Sequence, residues 1–161
     1  MDSEAGAWQS FTERLVSTFR GLSARSLLII SAREDQLRYV QFAGDNDRIY
    51  AEASGAYAHT PESASRLLAV GWTSPTIAAP NWSTTLRLPA LTTEYTAFAE
   101  KNVLALASAF DVVSPDEVVY KAWREPEPFP RGVTLSDAQI AELDPGENPL
   151  LIPSLGLATQ A

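Results

Sequence analysis

The feature that most constrains this chain is a switch of hydrophobic period near residue 25. Trp8, Phe11, Leu15, Phe19 and Leu22 recur at spacings of three and four, which gathers them on one face of a helix. Directly after them Ser26-Leu27-Leu28-Ile29-Ile30-Ser31 forms an apolar run of strand length, followed by a charged turn at Arg33-Glu34-Asp35-Gln36. A second arm, Leu37 to Phe42, puts Val40 and Phe42 on one face with Arg38, and Leu37, Tyr39 and Gln41 on the other. Both faces of this expected hairpin carry apolar surface.

The turn formers of Ala43 to Asp47 introduce a third strand, Arg48 to Ser54, with Tyr50 and Glu52 pointing opposite to Ile49 and Ala51. Thr60 as N-cap, Pro61 in the first helical position and Glu62 in the first turn predict a helix that stops at Gly71. After a loop holding Trp72, Pro75 and Pro80, Trp82 to Leu88 reads as a strand ended by Pro89. Tyr95, Phe98, Asn102, Leu106 and Phe110 give a helix over about Thr93 to Phe110, and Val118 to Trp123 offers a fifth strand. This order is not a βαβ alternation. It predicts an α+β fold with a mainly antiparallel sheet of about five strands flanked by helices.

A chain of 161 residues has room for one core, and the texture changes after Trp123. Six of the eleven prolines lie between Pro126 and Pro153, and the residues from Glu125 onward carry six acidic side chains against one basic. We therefore expect a domain over 1–124 and a Pro-rich acidic tail over 125–161, with one short helix at Leu135 to Leu143. The tail's Leu135, Ile140, Leu143 and Leu150-Leu151-Ile152 are costly to expose and are expected to dock on the domain or on a partner.

A net charge of −8 without a Lys/Arg cluster argues against nucleic acid and anionic membrane as partners. The longest strongly apolar run, Leu27 to Ile30, is too short to span a bilayer, and Met1-Asp2-Ser3-Glu4 lacks the basic start of a signal peptide. A cytoplasmic protein is expected, and the lack of cysteine agrees with that compartment while removing thiol chemistry.

Catalytic groups are sparse. His59 is the only histidine and adjoins the helix cap Thr60, with no Gly-x-Ser-x-Gly motif to pair with it. Asp45-Asn46-Asp47 continues into Arg48-Ile49-Tyr50-Ala51, which lacks the later oxygen ligands of a calcium loop. Gly44, Gly55 and Gly71 are isolated, so no phosphate loop is present. Neither a cofactor nor a metal is expected. Carboxylate pairs such as Glu34 with Asp35, or Asp116 with Glu117, read as solvated turns before they read as acid and base. The aromatics offer more: Trp72 and Trp82 fall at element ends, where an indole either plugs a corner of the core or anchors a partner.

The ordered series formed by the Trp8 and Phe11 helix, Tyr39-Val40-Gln41-Phe42, Ala51-Glu52-Ala53, Leu67-Leu68 leading to Gly71-Trp72 and Pro75, Asn81-Trp82 and a long helix resembles the actinobacterial TY-Chap domains over about residues 8 to 123. Those domains are grouped with YbjN proteins and CesT-like type III secretion chaperones. The resemblance implies an antiparallel sheet flanked by helices, a non-catalytic peptide-binding chaperone role, a client polypeptide as partner, and dimerisation as found among secretion chaperones. It carries over no catalytic residue. The family's ligand-contacting residues are not fixed by a motif; the candidate binding residues taken from this sequence are Trp72, Pro75, Trp82, Tyr39 and Gln41, with the sheet face or an edge strand pairing an extended segment. A regulatory or structural subunit with one fixed partner is the alternative, and an enzyme built on scattered carboxylates is a third class.

Overall fold

A computed structural model describes residues 4–57 and 60–160. His59 lies outside the described residues, as do Asp2 and Ser3, residue types that favour a helix N-cap and precede the first helix. The elements run α1 (Glu4–Gly21), β1 (Ser26–Ala32), β2 (Tyr39–Gly44), β3 (Arg48–Ala53), α2 (Pro61–Ala69), β4 (Trp82–Arg87), α3 (Thr92–Leu104), β5 (Val118–Arg124), α4 (Asp137–Glu142) and β6 (Ala158–Thr159). The strands form one sheet in the order β4-β3-β2-β1-β5-β6, antiparallel except for the last pair. The α+β expectation holds. The sheet has six strands instead of about five, because two residues of the proline-rich tail add a parallel strand too short to show any periodicity.

Alternation sets the two faces of the sheet. Leu28 and Ile30 of β1, Val40 and Phe42 of β2, Ile49 and Ala51 of β3, Leu86 of β4 and Tyr120 of β5 are buried against helical residues in one core. Phe19 of α1 lies 4.9 Å from Phe42 and 5.1 Å from Phe98 of α3 between ring centroids, so one ring joins two helices to the sheet. Leu37 and Arg38 fall in the turn before β2 and not in the strand. There Arg38 lies over the Tyr57 ring at 5.3 Å and donates to the Phe110 carbonyl.

Thr60 caps α2 as the sequence indicates, its hydroxyl accepting from the Ser63 N–H, with Pro61 at the helix start. The long helix behaves differently from its expected form. It is α-helical to Leu104 and then widens into one π-helical turn, Ala105–Ala109, closed by the Phe110 N–H on the Ala105 carbonyl. Spacings of four along Phe98, Asn102, Leu106 and Phe110 drift off one face of a regular 3.6-residue helix. The wider i→i+5 turn resets that drift, and Leu106 and Phe110 are both fully buried.

The tail docks along the free side of β5. Arg124 and Glu147 exchange main-chain bonds, the Leu150 N–H reaches the Ala122 carbonyl, and β6 pairs with Val119 and Tyr120. Leu155 is wholly buried in the core, and Arg14 of α1 donates to its carbonyl at 2.9 Å. Asp144 fastens the start of this path: Arg124 grips it through two bonds, at 2.7 and 3.1 Å, and Arg25 adds one at 2.9 Å. The Arg124 bonds, then the Gly146 N–H and Arg25, hold the Asp144 carboxyl well below the usual carboxylate range.

Because the folded value is depressed, this contribution to tail docking is present above about pH 4, near the ordinary Asp value, and is lost as pH falls toward the folded value. We expect Asp144→Asn to speed amide exchange at Glu147 and Leu150 at neutral pH. The gap from the parent protein should narrow as pH drops below about 4, and a gap that stayed constant with pH would mean that the carboxylate does not hold the tail.

Candidate binding face

The face of the sheet opposite the helices is assembled in rows by the strand registers. Trp123, Leu27, Ala43, Tyr50 and Thr85 lie side by side across β5, β1, β2, β3 and β4. The next row is Lys121, Ile29, Gln41, Glu52 and Ser83. These side chains project from the helix-free face because their strand neighbours Leu28, Phe42 and Ala51 point into the core. Leu27, Ile29, Ala43, Tyr50 and Trp123, with Gln41 and Glu52, line a shallow concavity of about 220 Å³.

Polar groups frame this apolar strip. Gln41 donates through Nε2 to Glu52, and the Tyr50 hydroxyl donates to the other carboxylate oxygen at 3.4 Å. The Trp123 indole N–H is taken by Glu125 at 2.8 Å, and Lys121 Nζ sits 5.6 Å from the Trp123 ring centroid. With their polar atoms engaged sideways, the rings and aliphatic side chains present apolar surface outward. Such a face can pack against apolar side chains of an extended segment, with Gln41 and Glu52 available for polar contacts.

The sequence-derived candidates divide between the two sides of the fold. Tyr39 and Gln41 are both on the open face, and the Tyr39 hydroxyl donates to Asn81 Oδ1, which also accepts the Gly55 N–H. Trp72 and Trp82 are in the core, at 2% and 5% exposure, and the Trp72 indole donates to the Lys101 carbonyl. Their place is the corner plug, where the indoles fix the start of β4 and the end of α2. Pro75 is half-buried in the loop between them. The fold thus brings Tyr39 and Gln41 together on the open face and turns Trp72 and Trp82 into the core.

Five residues of the apolar strip, Leu27, Ile29, Ala43, Tyr50 and Trp123, do not stand out in the sequence as a site. The available signal is in β1, where Leu27 to Ile30 is apolar at consecutive positions and therefore supplies both faces.

The described residues thus form an α+β domain whose sheet carries an apolar strip on the face away from its core. The family model described as "T3SS (YopN, CesT) and YbjN peptide-binding chaperone 3", TY-Chap3, matches residues 1–124, and the chain belongs to that family. No curated protein and no solved structure matches it. No helix among the described residues is long and apolar enough to cross a membrane.

Proposed function

We propose that this chain is a non-catalytic, chaperone-like protein of the bacterial cytosol that holds a client polypeptide against the open face of its sheet. The observation that carries this reading is the strip formed by Leu27, Ile29, Ala43, Tyr50 and Trp123, left uncovered by any helix in a domain whose family is described as peptide-binding. Tyr50, at 37% exposure, is the most open ring of the strip and the first to meet a client. Tyr39 and Gln41 extend the contact along β2. Trp72 and Trp82 act indirectly, by holding β4 and the loop that carries Asn81 in place.

The test is titration of the full chain with a blocked, extended peptide rich in valine and leucine, followed by amide shifts. Ile29→Glu sets a charge in the middle of the strip and should weaken binding about tenfold, the equivalent of roughly 1.4 kcal/mol. Because Ile29 is only partly buried and points away from the core, the variant should fold and melt cooperatively. Unchanged affinity, or shifts confined to the helical side, would remove the open face as the client site.

A further inference from the structure

The two long edges of the sheet are treated differently by the chain. At β5 the tail supplies partners: Glu147 to Arg124, Leu150 to Ala122, and β6 to Val119 and Tyr120. At β4 only Ser83 is covered, by exchange of both main-chain bonds with Thr73. Since Ser83 points its main chain away from β3, the period of two turns the N–H and C=O of Thr85 and Arg87 the same way. Among the described residues neither Thr85 nor Arg87 has a main-chain partner on that side.

The bare stretch of edge borders a cavity of about 490 Å³ between β4 and α3, walled on the helix side by Glu94, Ala97 and Lys101. Its charges are arranged unusually for a chain of net charge −8. Arg48 and Arg87 are directly opposed across β3 and β4, an arrangement that repels. Lys101 Nζ is bonded to the Thr84 hydroxyl. Among the described residues none of these three cations has a carboxylate within ion-pair distance. Of the acids in the cavity wall, Glu94 is engaged by the Leu91 N–H, and Asp47 is the neighbour of Arg48.

We infer that the β4 edge is a second binding surface, which takes an extended polypeptide bearing an acidic side chain by adding it as a strand beside Thr85 to Arg87. The free main-chain groups call for another main chain, and the opposed arginines call for a carboxylate on the same face as Arg87. A nucleic acid would satisfy the arginines but not the main chain, and its many phosphates would meet the acidic remainder of the surface. A second copy of this chain joined through β4 would bring two such arginine rows onto one face, so self-pairing is disfavoured. The edge differs from the apolar strip in what it offers, the main chain of Thr85 and Arg87 beside two cations, although the side chains of Thr85, Arg48 and Arg87 continue the open face next to Tyr50.

The closing experiment uses isotope-labelled full-length protein and two short blocked peptides, one alternating valine with glutamate and the other valine with lysine. The glutamate peptide should bind saturably, slow amide exchange at Thr85 and Arg87, and leave Leu27 and Ile29 unaffected. Arg87→Glu should lower its affinity by about tenfold or more and transfer binding to the lysine peptide. Arg48→Glu provides the same reversal from the neighbouring strand should the first variant fold poorly. Equal binding of both peptides, protection at other amides, or a rise in oligomer size in the variants with no peptide binding by the parent would overturn the inference. The last outcome would identify the arginines as guards against edge pairing only.

Discussion

Phe19→Ala should lower the unfolding free energy by about 3–5 kcal/mol, the range for removing a large buried aromatic side chain. Phe19 is 1% exposed and touches Phe42 and Phe98 by edge and tilted ring contacts, so its loss opens a cavity at the point where α1, β2 and α3 meet. Phe98 and Phe42 are themselves 6.4 Å apart between centroids and tilted by 66°, so the space left between them would have to be filled by rearrangement of a close-packed core. Phe19→Leu keeps most of the volume and should cost under about 1.5 kcal/mol. Chemical denaturation followed by circular dichroism measures both. A loss below about 0.5 kcal/mol for the alanine variant, the range of ordinary surface changes, would place this face of α1 outside the core.

The core was legible in the sequence because its signals are repeated. Trp8, Phe11, Leu15 and Phe19 follow one helical period, and Val40 and Phe42 alternate with Tyr39 and Gln41, so local pattern and tertiary burial agree. Of the open face proposed as the site, only Tyr39 and Gln41 on β2 are among the candidates drawn from the sequence. Nothing local distinguishes the inward Leu28 and Ile30 from the outward Leu27 and Ile29, since a run of apolar residues has no phase until its neighbours in the sheet are known. Trp72 and Trp82 illustrate the converse. Position next to a glycine or at a strand start does not say which way an indole turns, and here packing against the core decided it.

The π-helical turn is likewise invisible to a pattern that assumes a constant period. Edge exposure is invisible too. Which strands are outermost is a property of pairing order, and Arg48 and Arg87, 39 positions apart by their numbering, become neighbours only through the β3 to β4 register.

Leu155→Ala should destabilise the protein by about 2–5 kcal/mol, a core-sized effect from a residue within a segment rich in proline and acid. Leu155 has no exposed surface, and the backbone around it is fixed from α1: Arg14 donates to its carbonyl, and Thr18 shares a hydrogen bond with Ser154. Gly156 follows in the left-handed region with φ 63°, where an added Cβ would crowd the Arg14 side chain. The chain therefore turns out of the core at once and cannot slide another side chain into the Leu155 pocket. By contrast Leu151, 63% exposed, should tolerate alanine within about 0.5 kcal/mol. We propose that residues 1–124 fold as the domain and that the tail adds stability to it. A chain ending at Pro126 should then still melt in one transition, at a lower midpoint, because β5 loses its edge partners and Tyr120 loses the Ile152 N–H bonded to its hydroxyl. A truncated chain with no cooperative transition would make the tail part of the folding unit. An unchanged midpoint, together with a silent Leu155→Ala, would mean that the tail contributes nothing to the core.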